Sequence, residues 1–517
     1  MGSLGPGNSE EQVTDIYDGG LHNLADRLHG RILENTNTCF VKPSTATPTE
    51  KEWLPLCNFD YLWMTYYTPL ICTFTLTDQI HHFGSASGAV QHLKDSLAEA
   101  LVLFYPLAGR VLTKDGPPRI HCSDAGAVFT EASIDADMAE LRTDDFLPLP
   151  LLSGLVAAGL GDYPVLPEMP AGLPALIIQV THFKCGGIAL AANWSHGAAD
   201  GHSGLHFMKS WSELARGAQV SLLPDHRRDL VKPRDPPVPT ELVKAVAVSP
   251  DAQVTASKTV AGKDQVIKIS VENSPVPMSK ADILGSTLEA RTEAKLTRVT
   301  TKILEFTKDE ISQMRKAATD HCNPSTHFTR ADCMFTHLWR TIVRSRNLPS
   351  TARVRLWILV EGRKKLSLPV GYFGNVIGRI PVITTVNELL NGPFSETAAL
   401  IHSGIASITT EWFQGFVDWV QTREPGQYQL AAEELGPGAD CSISHLVWFP
   451  FYDLDFGFGT PTCSMPNALH APSHADVGSA FVSPSSHGAD RMVVMTNLES
   501  RAVRRFISMA HDIPAAQ

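Results

Sequence analysis

The stretch from Ala175 to Arg216 constrains the fold most. Ala175 to Phe183 is rich in Ile and Val, Gly186-Gly187 supplies a turn, and Ile188 to Trp194 reads as a second strand. Ser195 to Gly201 is a short loop. Ser203 to Arg216 then places Leu205, Met208, Trp211 and Ala215 on one helical face. A strand that leaves through a tight loop into a helix presents the loop's side chains at a cleft. Here the loop is Ser195-His196-Gly197-Ala198-Ala199-Asp200-Gly201, so the side chains presented are His196 and Asp200.

The rest of the chain alternates strands and helices. Val90, Leu93, Leu97, Leu101 and Phe104 recur at steps of three and four, which predicts one buried helix face ending at Tyr105-Pro106. From residue 217 the chain is first proline-rich (Pro224, Pro233, Pro236, Pro237, Pro239) and then weakly periodic, which reads as a long crossover. Leu296 to Phe306 alternates as a strand. Helices are expected at Lys308 to Thr319 and Ala331 to Arg344, an apolar strand at Leu446 to Tyr452, and a closing strand and helix at Met492 to Thr496 and Leu498 to Ala510. The pattern predicts an α/β protein of two similar-sized lobes: residues 1–216, a crossover over 217–295, and residues 296–517. Folded sequence is expected from Trp53, after a loosely packed tail of about 35 residues.

Composition enters as a set of exclusions. With 43% hydrophobic residues over 517 positions, a large core is within reach and wholesale disorder is not. Against 43 basic residues stand 54 acidic ones, a net charge of -11, which lacks the footprint of a nucleic-acid binder. The most apolar long stretch, Phe146 to Pro167, is broken by prolines and glycines and does not read as a membrane span. No secretory leader is legible at the start, and the nine cysteines contain no Cys-x-x-Cys. The expectation is a reduced, cytoplasmic protein.

His196 is the sharpest candidate for chemistry. A neutral imidazole near pH 7 can take a proton from a hydroxyl or amine, and the small residues beside it let a substrate approach. Asp200 suits a different task, holding the loop through an arginine. Taken alone, a His-x-x-x-Asp is more often a turn histidine with no role. A zinc site on His196, Asp200 and His206 is the alternative chemistry, but no His-Glu-x-x-His occurs and Gly201 interrupts helical ligand spacing. No metal is therefore expected. Asp455-Phe456-Gly457-Phe458-Gly459 reads by itself as a tight buried turn. Phosphate-cradling glycine loops and a Gly-x-Ser-x-Gly elbow are both missing.

Together and in this order, His196-x-x-x-Asp200-Gly201 and Asp455-Phe456-Gly457-Phe458-Gly459 resemble the paired motifs of the plant-type BAHD acyl-CoA-dependent acyltransferases. Tyr105-Pro106-Leu107-Ala108-Gly109-Arg110, Arg234-Asp235-Pro236-Pro237 and Gly371-Tyr372-Phe373-Gly374-Asn375-Val376 match further segments of that family, so the likeness spans most of the chain. The loop and following helix look most like the hydroxycinnamoyl-CoA:shikimate/quinate branch.

The resemblance implies a two-lobed, chloramphenicol-acetyltransferase-like fold with a channel between the lobes. It implies a monomer that uses acyl-CoA as co-substrate and needs no other cofactor. His196 would be the general base in transfer of an acyl group, hydroxycinnamoyl in that branch, to a small-molecule alcohol or amine. Asp200 and Gly201 would support the loop, with Arg363 as the partner of Asp200. Asp455 is either a second catalytic residue or the holder of its own loop with Gly457, Phe458 and Gly459, and we adopt the second reading. Thr68 and Ser444 stand at acceptor-contacting positions.

Four departures bear on specificity. Phe458 replaces a tryptophan, Ser444 a threonine and Leu446 another tryptophan. No arginine aligns with the one that grips the shikimate carboxylate; the region from Gln429 to Gly438 offers Glu433 and Glu434 instead. Shikimate is thus disfavoured, and another hydroxyl compound or a cationic amine is favoured. Three other readings stay open: transfer of a fatty acyl group to a long-chain hydroxylated acceptor, a metal-dependent hydrolase, and a non-catalytic ligand-binding homologue.

Overall fold

The computed structural model describes residues 34–63, 67–75, 83, 86–112, 116–141, 172–240, 253–261, 264–272, 299–319, 327–423, 438–466 and 477–513. Two six-stranded sheets organise them. The first runs Glu34–Val41, Ala127–Ile134, Leu176–Phe183, Ile188–Ser195, Tyr67–Phe74 and Cys463–Pro466. The second runs Val299–Phe306, Gly488–Glu499, Ser479–Ser485, Asp440–His445, Arg353–Glu361 and Ile377–Thr385. This is the two-lobed α/β architecture that the alternation of elements predicts. The lobes meet where Ile71, Ala189 and Ala191 of the first sheet pack with Ile303, Val493 and Met495 of the second.

The lobes are not contiguous in sequence. The strand Cys463–Pro466 closes an edge of the first sheet by pairing antiparallel with Tyr67–Phe74. Phe451, Leu454, Phe456 and Phe458 are buried in the first lobe's core. In the other direction, Phe59 enters the second lobe's core and stacks on Phe416 at 5.1 Å. Each lobe therefore lends the other a piece of chain, which ties together the two sides of the junction where His196 sits.

Local sequence accounts for most elements. The helix Ala86–Leu103 buries Val90, Leu93, Leu97 and Leu101 on the predicted face. Leu176–Phe183 and Ile188–Ser195 form the predicted hairpin, and Lys308–Thr319 is helical as expected. The helix Arg330–Arg346 starts on a Thr329/Asp332 capping box and stops at Asn347, whose φ is 53°.

Two expectations are corrected. Order begins before Trp53: Glu34–Val41 pairs with Ala127–Ile134 as an edge strand. Its Glu-Asn-Thr-Asn-Thr run hides it from an apolar-pattern search, because an edge strand needs little burial. Leu446 to Tyr452 is not a strand. The strand is Asp440–His445, and after Leu446 N–H donates to Val482 O the chain turns into a short 3-10 helix, Phe451–Asp453. Its apolar residues plug the other lobe's core, and short apolar runs do not distinguish a strand from a buried loop. The stretch read as a crossover is anchored in places. Arg228 and Val231 are buried, and residues 253–261 and 264–272 form an antiparallel hairpin. The stretch from Phe146 to Pro167 lies outside the described residues. No helix among the described residues is long and apolar enough to cross a membrane.

Candidate active site

His196 follows directly on the strand Ile188–Ser195, and the loop ends where Asp200 caps the helix Gly201–Ala215. The carboxylate of Asp200 accepts from Ser203 N–H at 2.9 Å. The helix lies hard against the strand because residue 204 is glycine: a Cβ there would sit 2.1 Å from Trp194 Cζ2. This contact fixes the height at which the loop leaves the sheet.

Asp200 is fully buried and is gripped from the second lobe. Arg363 Nη1 donates to Oδ2 at 2.8 Å and Nη2 to Oδ1 at 3.0 Å, a bidentate pair. Val376 N–H adds a bond to Oδ2 at 3.1 Å. Burial alone would raise the Asp200 pKa, but the Arg363 charge and hydrogen bonds outweigh it and hold the carboxyl well below the usual carboxylate range. Arg363 also donates to Ser203 Oγ at 2.9 Å and Gly374 O at 2.7 Å, stitching the helix start to the 371–376 loop. Among the described residues the Asp200 oxygens bond Ser203, Arg363 and Val376 rather than His196, so the aspartate is a clamp.

The imidazole meets a residue that the sequence did not single out. His196 Nδ1 lies 3.0 Å from Asn375 Oδ1, and Asn375 Nδ2 donates to His196 O at 2.7 Å. Asn375 Nδ2 also donates to Asp60 Oδ1 at 2.8 Å. A carboxylate only accepts, so the amide must turn its NH2 toward Asp60 and its oxygen toward the ring. Nδ1 therefore carries the proton, and Nε2 is left with a free lone pair. The indole of Trp63 stacks on the ring, with centroids 4.8 Å apart and planes at 19°. Burial lowers the His196 pKa from its ordinary 6.5, which keeps the half-buried imidazole neutral near pH 7. A neutral, oriented imidazole with a bare Nε2 is suited to accept a proton.

The remaining expected residues scatter more widely. Thr68 lies opposite Trp194 in the sheet, and its buried hydroxyl has no hydrogen-bond partner among the described residues. Ser444 is half-buried in the second sheet, opposite Phe481. Asp455 Oδ1 accepts from Gly457 N–H at 2.8 Å and Gly459 N–H at 2.9 Å, and its carbonyl accepts from Arg216. Gly457 and Gly459 have φ of 91° and 86°, a conformation that favours glycine. No contact joins Asp455 to His196 among the described residues. Phe458 is buried edge-on to Phe74 at 5.6 Å and Phe83 at 5.5 Å, neighbours that need bulk rather than a donor. Gly201 approaches Phe449.

The histidine cluster does not converge. His206 Nε2 lies 2.7 Å from Leu222 O, and among the described residues no three His, Cys, Asp or Glu side chains are placed to hold a metal ion. Glu433 and Glu434 fall outside the described residues.

Sequence reasoning missed Asn375 as a site residue, although it lay in a matched segment. It also missed Asp60 and Arg228, which carried no signal: one sits in Asn58-Phe59-Asp60-Tyr61, the other in a proline-rich crossover.

Comparison with known proteins identifies the family. Residues 32–512 match the family profile described as the Transferase family. Shikimate O-hydroxycinnamoyltransferase of Nicotiana tabacum is 28% identical over 488 residues, covering 93% of this chain and 99% of the relative. Hydroxycinnamoyl-CoA:5-hydroxyanthranilate N-hydroxycinnamoyltransferase of Avena sativa is 28% identical over 484 residues, covering 92% and 98%. The crystal structure of vinorine synthase superposes with a TM-score of 0.65 at 19% identity, covering 94% of this chain and 99% of that one, which is a likeness of fold. With the Asp200–Arg363 clamp and the oriented imidazole in place, the match over nearly the whole chain shows that this protein belongs to the BAHD family of acyl-CoA-dependent acyltransferases.

Proposed function

We propose that the protein moves a hydroxycinnamoyl group from coenzyme A to a small hydroxyl or amine acceptor, with His196 as general base and no covalent acyl-enzyme. The observation that carries this reading is the bare Nε2 of His196, left free because Nδ1 keeps the proton and donates it in a hydrogen bond to Asn375 Oδ1. The acceptor O–H or N–H gives its proton to Nε2 as the heteroatom attacks the thioester carbonyl. The tetrahedral oxyanion collapses, the C–S bond breaks, and the leaving thiolate takes the proton back from the imidazolium. Holding the two reactants together supplies much of the rate.

The donor class rests on the tobacco and oat relatives, both named for hydroxycinnamoyl transfer. For the acceptor, the buried hydroxyl of Thr68, which has no hydrogen-bond partner among the described residues and sits next to Tyr67, the ladder partner of Ser195, supports a polar contact there, with Ser444 as a second. The absence of an aligned carboxylate-gripping arginine argues for an acceptor other than shikimate. In this reading the enzyme is a cytoplasmic monomer that needs no metal or further cofactor.

The test is free-thiol release from p-coumaroyl-, caffeoyl-, acetyl- and palmitoyl-CoA, each with shikimate, a hydroxy acid, a polyamine and a fatty alcohol, with and without chelator. Acceptor-dependent release from the hydroxycinnamoyl donors, indifferent to chelator, is expected. Release without any acceptor would mark a hydrolase, and release only from palmitoyl-CoA a fatty acyl enzyme.

The pH dependence follows from burial. The reactive form of His196 is neutral, and its pKa lies below 6.5. Activity should therefore hold as the pH falls through 6.5 and decline only below it. A kcat/KM profile whose acid limb has its midpoint above 6.5 would contradict the assignment.

A further inference from the structure

We propose that Asp60 is a positioning residue that acts through Asn375 to dictate which nitrogen of His196 is free to react. The inference rests on the acyl-transfer reading above for its kinetic consequence, but not for its structural one.

Asp60 is fully buried at the start of a short 3-10 helix, Asp60–Trp63. Its Oδ1 accepts from Asn375 N–H at 2.9 Å and Asn375 Nδ2 at 2.8 Å; its Oδ2 accepts from Cys57 N–H at 2.8 Å and Arg228 Nε at 2.9 Å. All four partners are donors, so the site demands an acceptor on both oxygens. Arg228 Nη2 continues to Ala198 O at 2.9 Å, tying the same carboxylate to the His196 loop from the other side. The Asn375 amide turns its NH2 toward this carboxylate, the charged one of its two acceptors beside His196 O, and that orientation sets the imidazole tautomer.

Asp60→Asn keeps the shape and removes one acceptor. The arginine holds the remaining oxygen, so the new NH2 faces Asn375. The Asn375 amide then inverts, giving up its bond to His196 O, to offer its oxygen to residue 60 and its NH2 to His196 Nδ1. Nδ1 becomes the acceptor, the proton moves to Nε2, and the base is capped. No group gains or loses net charge beyond residue 60 itself.

The readouts are steady-state kinetics and the imidazole 15N spectrum of histidine-labelled protein near pH 8, with the His196 signals assigned by difference against His196→Gln. Wild type should show a protonated Nδ1 and a bare Nε2. Asp60→Asn should exchange the two and lower kcat at least 100-fold, while KM for acyl-CoA stays within about threefold; loss of tautomer control in a serine protease costs about 10⁴. A wild-type spectrum and kcat in folded Asp60→Asn overturns the proposal. Should Asp60→Asn not fold, Asn375→Ala carries the test, since it leaves the Asp60–Arg228 pair intact: a His196 that keeps the Nδ1–H form and full kcat there overturns it equally. If wild type releases no thiol with any acceptor, the function fails while the tautomer signals still decide the relay.

Discussion

Replacing His196 with alanine is expected to lower kcat for acyl transfer by about 10²–10⁴-fold, the range that a positioned general base supplies. The fold should survive, because the imidazole is held chiefly by one side-chain bond, to Asn375, and by the Trp63 stack. Thiol-release kinetics and thermal unfolding on the same preparation separate the two effects. Substantial activity in a folded His196→Ala protein would remove the general base from the mechanism. It would leave the two bound reactants to react by positioning alone.

Arg363→Met is expected to act on stability first. It strands the fully buried Asp200 carboxylate with only backbone donors, and breaking a buried pair by removing one partner costs about 3–5 kcal/mol. The pH dependence has a definite sign. Asp200 has a folded pKa below its ordinary 3.8, so the pair's stabilisation is fully present above that pH and is lost as the pH falls below it. Denaturant unfolding should therefore show the gap between variant and wild type widest near neutral pH and narrowing in acid. A loss under about 1 kcal/mol at pH 7 would mean that the helix cap and the Val376 bond hold the loop without the arginine.

The parts of the fold that were legible are those with a local cause. The hairpin 176–195, the capped helix after it, and the helices at 86–103, 308–319 and 330–346 follow from periodicity, turn residues and caps within a few positions of each other. The edge strand Glu34–Val41 was not legible, because an edge position relaxes the burial that periodicity detects. The stretch after His445 misled for the opposite reason. Phe449 and Phe451 are apolar to fill a core in the other lobe, not to pair in a sheet. Within the site, the Asp200–Arg363 pair was expected only through the family resemblance, since nothing local joins residues 163 apart in sequence.

By itself, then, the sequence determined the α/β alternation, the presentation of His196 and Asp200 between a strand and a helix, and the turn built by Asp455 with Gly457 and Gly459. All of these arise from backbone propensity and hydrogen bonds that close over short spans. Only the tertiary structure decided that Phe456 and Phe458 pack into the first lobe, that Asn375 faces the imidazole, and that Asp60 stands behind it. Asp60 and Asn375 are 315 residues apart. Their contact exists because two lobes that exchange segments bring the junction to one geometry, and donor and acceptor valence then leave the histidine one orientation of its proton.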